Sequence, residues 1–283
     1  MVSRRRFDWK LRTQTLQLGE RTLIMGVLNV TPDSFSDGGR YDDPDRAVER
    51  ALELEADGAD LIDIGAESTK PGSPRVPEAE ELRRLVPVLK RLREKLRIPV
   101  SVDTYKSGVA MKALEYDVEV INDPSGLTWD PNLPKVVVNG NAGLVLYHMR
   151  GTPETWAKMG PLVDVVGTIG KDLDASANRA RRAGVLKDRI VVDPGLGFGK
   201  RREQNAEIIG RLQGFAALEI PILIGPSRKS FLRQLDDEGT EFATAAAVTA
   251  SILNGAHIVR VHDLKNMKPV VDTTDAILRS VEE

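Results

Sequence analysis

Leu23-Ile-Met-Gly-Val-Leu28 is a six-residue apolar run that stops at Asn29, and Leu61-Ile-Asp-Ile64 is a second such run that ends at a turn. Between them lies Asp45 to Asp57, a charged stretch with helical spacing. A short continuous apolar run leading into an amphipathic segment is how a strand buried on both faces, followed by its covering helix, is written in sequence. Working outward, the same unit recurs. Further runs are Ile98 to Val102, Val118 to Ile121, Leu144 to Leu146, Ile190 to Val192, Ile222 to Ile224 and Ile258 to Val261. Helix-forming stretches separate them, among them Glu78 to Leu96, Lys106 to Tyr116, Gln204 to Gln213 and Phe242 to Leu253.

Eight strands alternating with helices close a parallel sheet into a (β/α)8 TIM barrel, an α/β fold. A doubly wound open sheet is the alternative, but it usually has fewer strands and carries a phosphate loop after its first strand. Neither sign is present. Residues 21–283 are therefore read as one barrel domain, and residues 1–20 as an N-terminal arm and the start of a short hairpin. Leu11 to Thr22 alternates around Gly19-Glu20, which predicts a hairpin plugging the barrel's base.

Composition narrows the function classes. With 283 residues, 41% hydrophobic and 29% charged, the chain has the make-up of a soluble globular protein. The 40 basic and 42 acidic residues leave a net charge of −2, so no global field recruits nucleic acid or an anionic membrane. No apolar stretch approaches the roughly 18 residues a membrane helix needs. Ser3-Arg4-Arg5-Arg6-Phe7 lacks the apolar region of a secretory signal, and a cytoplasmic location is expected. The absence of cysteine removes disulfides, thiolate metal sites and thiol nucleophiles.

In a TIM barrel, chemistry sits at the C-terminal ends of the strands. The residues there are Asn29, Glu67 to Lys70, Asp103, Asn122 with Asp123, His148, Asp193, Ser227 to Ser230, and Arg260 with His262. Asp, Asn and Ser also favour helix starts, so any one alone reads equally well as a cap. Capping does not explain an Arg-x-His pair within a strand. Two zones separate: Asp103, Asn122 and Asp193 offer acceptors and an amide for a heterocycle edge, with Lys229 complementing a carbonyl or ring nitrogen. Asn29, Arg260 and His262 come from neighbouring strands and suit a phosphate.

Thr31-Pro-Asp-Ser-Phe-Ser-Asp-Gly-Gly39 reads as a lid over the mouth, with a merely floppy loop as the alternative. Asp193-Pro-Gly-Leu-Gly-Phe-Gly199-Lys200 matches no nucleotide motif. The three histidines, His148, His257 and His262, have no zinc-ligand spacing. A Mg²⁺ held mainly by diphosphate oxygens, with Asn29 as its protein ligand, is the metal expected. Ala243 to Leu253, rich in small apolar residues, fits either packing against the sheet or a self-association surface.

These stretches resemble the dihydropteroate synthases. The likeness is carried in order by Ile24 to Gly39, Asp63 to Gly72, Ser101 to Thr104, Ile121 to Asp123, His148 to Gly151, Asp193 to Lys200, Gly225 to Ser230 and Arg260 to Asp263. The resemblance implies condensation of 6-hydroxymethyl-7,8-dihydropterin diphosphate with 4-aminobenzoate in folate biosynthesis. It implies that Asp103, Asn122, Asp193 and Lys229 hold the pterin, that Phe198 lies near its ring or the aminobenzoate, and that Ser230 helps seat the aminobenzoate carboxylate. Asn29, Arg260 and His262 would take the diphosphate and Mg²⁺, and Thr69 and Lys70 would belong to a second closing loop. It also implies a homodimer. The chain departs from the family at Lys70, where Arg is usual, at Ala66, where Gly is common, and at Tyr105, Pro124 and Tyr147. A related barrel that transfers a methyl group from methyltetrahydrofolate to a corrinoid is the nearest alternative, and a catalytically silent pterin-binding paralogue the next. The diphosphate zone and the first lid have no purpose in methyl transfer.

Overall fold

The computed structural model describes residues 4–31, 44–68 and 72–282. A hairpin of β1 (Phe7–Lys10) and β2 (Thr15–Leu18) comes first. The barrel strands are β3 (Leu23–Asn29), β4 (Leu61–Gly65), β5 (Val100–Asp103), β6 (Val120–Asp123), β7 (Gly143–Tyr147), β8 (Ile190–Asp193), β9 (Leu223–Ile224) and β10 (Ile258–Val261). Their order is β8-β7-β6-β5-β4-β3-β10-β9, all parallel, and a bridge between Val192 and Ile222 joins the two ends into a closed barrel. The covering helices are α1 (Pro44–Ala56), α2 (Glu78–Leu92), α3 (Ser107–Leu114), α4 (Leu133–Gly140), α5 (Val165–Arg182), α6 (Arg202–Gly210), α7 (Asp237–Leu253) and α8 (Leu264–Glu282).

Strands β5 and β6 start two residues later than the apolar runs suggest and end one and two residues later, respectively. Their ladders continue through Asp103, Asn122 and Asp123, because a polar side chain facing the lumen leaves the backbone pairing intact. The hairpin is also displaced: its turn lies at residues 11–14, not at Gly19-Glu20. Trp9, Leu11 and Leu18 are buried there, and the shift is what allows all three to face the barrel's base.

That base decides where the site can be. Leu23, Met25, Leu61, Val120, Val145, Val191, Leu223 and Ile258 fill the barrel interior together with Trp9, Leu11 and Leu18. The Trp9 indole N–H donates to the Arg189 carbonyl at 3.0 Å, and Arg189 donates to the Leu11 carbonyl at 2.7 Å. Side chains alternate across a strand, so the next inward position lies two residues further along. Those positions are Asp63, Asn122, Tyr147, Asp193 and Arg260, and the lumen changes from apolar to polar in one step.

Candidate active site

Strand register assembles the first half of the pocket. Asn29 lies opposite Gly65, Gly65 opposite Asp103, and Asp103 opposite Asn122. Gly65 leaves a gap between two of them: a Cβ there would lie 3.6 Å from Asn29 Oδ1 and 3.9 Å from Asp103 Oδ2. One layer deeper sits Asp63, fully buried. Its Oδ2 accepts from Arg260 Nε at 2.7 Å and from Asn122 Nδ2 at 2.9 Å, while Oδ1 accepts from Ser101 Oγ at 2.7 Å. Arg260 also reaches Asp103 Oδ2, at 3.3 Å.

The other half comes from the turn after β8. Asp193 Oδ1 accepts the Gly195 N–H at 2.6 Å. Gly195 has φ +72°, and a side chain there would run into the His148 carbonyl. Lys200 is buried beneath this turn and donates to the carbonyls of His148 at 2.8 Å, Gly195 at 2.6 Å and Phe198 at 3.3 Å. Burial holds its ammonium well below the usual lysine range, with Asp193 opposing. The turn thereby presents Phe198, packed against Tyr147 at 5.6 Å and Trp156 at 5.3 Å between ring centres. Lys229 Nζ sits 4.5 Å above the centre of the Phe198 ring.

Two acceptors remain open. Asn122 Oδ1 and Asp193 Oδ2 are buried without a hydrogen-bond partner, which in a folded protein marks a place for a ligand's donors. Burial pushes the Asp193 carboxyl up to about 6, with the Gly195 N–H opposing. Burial and then Asp63 push Asp103 up as well. Lys229 is lowered to about 8, first by burial and then by Arg260. Burial also works against the Arg260 charge, but Asp63 and then Tyr147 and Asp103 raise its pKa overall. Burial thus shifts Asp103, Asp193 and Lys229 toward their neutral forms, while Asp63 keeps Arg260 charged.

At the rim, His262 Nδ1 lies 2.9 Å from Ser227 Oγ, and that oxygen accepts the His262 N–H at 3.2 Å. A hydroxyl so placed can donate to Nδ1, which puts the neutral ring's proton on Nε2. Ser230 is exposed at the start of the turn Ser230–Leu232. His148 does not join the mouth: the residue after inward Tyr147 points outward, and its Nε2 lies 3.0 Å from Asp172 of α5. Burial, with Lys200 and Arg150, lowers its pKa to about 2, so it is a neutral packing group. Thr69 and Lys70, and the lid stretch beyond Thr31 to Gly39, lie outside the described residues.

Sequence reasoning missed Asp63, Ser101 and Lys200 as site residues, while Ser227, expected at the mouth, is found there against His262. The signal for Asp63 was a carboxylate inside an otherwise apolar strand, which a buried strand tolerates only with partners. A further cluster beside the pocket has Arg75 stacked 4.1 Å over Trp129 and Tyr105 edge-on to the same indole at 4.6 Å.

A parallel barrel with buried acceptors, a lysine and an arginine converging at the C-terminal mouth defines a class that binds a polar heterocycle and an anion. The family described as pterin binding enzyme matches residues 25–262. A dihydropteroate synthase from Synechocystis sp. is 40% identical over 277 residues, covering 96% of this chain and 93% of the relative. A dihydropteroate synthase from Clostridium difficile, solved in the presence of pteroic acid, is 42% identical with a TM-score of 0.85, covering 92% of this chain and 98% of its own. One from Burkholderia cenocepacia, complexed with 7,8-dihydropteroate, is 37% identical with a TM-score of 0.85, covering 98% of each chain. The chain belongs to the dihydropteroate synthase family.

Proposed function

We propose that this chain condenses 6-hydroxymethyl-7,8-dihydropterin diphosphate with 4-aminobenzoate, releasing 7,8-dihydropteroate and diphosphate. The observation that carries this reading is the pair of orphaned buried acceptors, Asn122 Oδ1 and Asp193 Oδ2, facing one lumen with Lys229. The donor-rich edge of a pterin satisfies both. One relative of this chain was solved in the presence of pteroic acid and another complexed with 7,8-dihydropteroate, whose pterin presents that edge.

The C–O bond at the pterin methylene breaks first, and its electron pair leaves with the diphosphate. The electron-rich ring delocalises the resulting cation, and the aromatic amine's lone pair then closes the new C–N bond and sheds a proton. Asp103, Asn122 and Asp193 hold the ring, while Arg260 and His262 face the departing oxyanion. Lys229 holds the ring with them from above Phe198, beside which the amine approaches, and Ser230 lies where the aminobenzoate carboxylate would emerge. Water must be kept from the cation, which gives Thr69, Lys70 and the lid stretch their role.

Among the described residues there is no cluster of acidic or histidine side chains that could cage a metal. Asn29 nonetheless offers one amide oxygen at the mouth, which fits a Mg²⁺ carried chiefly by diphosphate oxygens. Such an ion would neutralise charge building on the leaving group. We assign a homodimer through α7 and α8, where Phe242 is 68% and Ile277 50% exposed. A monomer in sedimentation at micromolar protein would refute the assembly. No helix among the described residues is long and apolar enough to cross a membrane, and we place the chain in the cytoplasm.

The test of the site is a crystal structure with 7,8-dihydropteroate bound. The pterin edge is expected against Asn122 Oδ1 and Asp193 Oδ2, and a ligand lodged elsewhere refutes the reading.

A further inference from the structure

We propose that Asp63 is a positioning residue that fixes which way the Asn122 side-chain amide faces, and thereby makes the pocket select a heterocycle edge that donates hydrogen bonds. The inference rests on the pterin reading of the pocket and deepens it.

A carboxylate can only accept, so the Asn122 atom 2.9 Å from Asp63 Oδ2 must be the amide nitrogen. Rotating the amide by half a turn would set two oxygens against each other. With Nδ2 committed to Asp63, Oδ1 is forced to the opposite side, where it is buried and without a partner. The carboxylate itself cannot turn away. Arg260 Nε anchors the Oδ2 that Asn122 uses, and Ser101 Oγ anchors Oδ1 on the adjacent strand. Four strands, β4, β5, β6 and β10, therefore converge on one carboxylate that touches no pocket opening of its own: its exposure is 0%. An uncharged, partnerless position 63 would free the amide. Its Oδ1 could then accept from Arg260 or Ser101, turning Nδ2 toward the lumen and reversing the preference from donors to acceptors.

This predicts a change in selectivity, not only in affinity. The probes are 6-hydroxymethylpterin and the corresponding lumazine, in which the exocyclic amine is replaced by a carbonyl oxygen. The native chain is expected to favour the pterin. Asp63→Ala should lower the pterin-to-lumazine affinity ratio about tenfold or more, because the orphaned acceptor is no longer aimed. Asp63→Asn should hold the ratio within about threefold: its carbonyl oxygen can still face Asn122 and Arg260, and its amide can donate to Ser101 Oγ. A ratio unchanged in Asp63→Ala, with both affinities falling together, shows a merely structural role and overturns the proposal. Should Asp63→Ala not fold, neutron diffraction from the native chain with the pterin bound decides. Deuterons on Asn122 Nδ2 directed at Asp63 support the proposal, and a reversed amide overturns it. A native chain that binds neither pteridine overturns the pterin reading of the pocket and this inference with it. Native binding that persists while the Asp63 tests fail overturns the inference alone.

Discussion

Arg260 should be the site residue whose removal most damages the fold as well as the chemistry. Its guanidinium is 15% exposed and pairs at 2.7 Å with Asp63, whose side chain is fully buried. Arg260→Met keeps the bulk and deletes the charge, leaving the carboxylate with only Ser101 and Asn122 as donors. Breaking a buried pair from one side costs about 3–5 kcal/mol, because the surviving charge stays desolvated. For a chain of this size that corresponds to a fall in melting temperature of roughly 6–20 °C. The double variant Asp63→Asn with Arg260→Met removes both charges and should recover most of that loss, to within about 1–2 kcal/mol of the native chain. Turnover should not return, since the guanidinium that faces the departing diphosphate is still missing. Urea denaturation followed by circular dichroism, alongside diphosphate release, separates the two effects. If Arg260→Met is destabilised by less than about 1 kcal/mol, or the double variant regains turnover, the ion pair does not have the role given to it.

Trp9→Ala should destabilise by about 3–5 kcal/mol, measured by thermal unfolding, while the folded fraction keeps its pterin affinity because the plug lies at the opposite end of the barrel. Pterin affinity should rise as pH increases through about 6, where Asp193 becomes an acceptor, and decline above about 8, where Lys229 loses its proton; fluorescence titration from acid to alkali checks both limbs. A flat profile would contradict the assignment of those two groups. Chelating divalent ions should slow turnover of the diphosphate substrate yet leave pteroate binding unchanged, because pteroate has no diphosphate to carry a metal.

Much of this was legible in the chain because burial on both faces writes a parallel strand as an unbroken apolar run. Several runs ended at, or carried, a polar residue that the barrel turned inward: Asp103, Asn122, Asp193 and Arg260 all face the lumen. The alternation rule also explains the failure at His148, which follows inward Tyr147 and must point out. Asp63 was hidden by its apolar neighbours Ile62 and Ile64, and its partners come from strands far away in sequence. Lys200 was hidden differently, since its partners are backbone carbonyls, which no side-chain pattern reports. The hairpin's turn shifted because burial of Trp9 and Leu18 outweighed the turn preference of Gly19.

The most direct measurement is turnover: purified chain incubated with 6-hydroxymethyl-7,8-dihydropterin diphosphate, 4-aminobenzoate and Mg²⁺, with Asp103→Asn and Lys229→Ala alongside. Dihydropteroate and diphosphate formed together by the native chain, and lost in both variants, are the predicted result. A folded native chain that binds the pterin yet makes no dihydropteroate would contradict the account and favour methyl transfer or a silent paralogue.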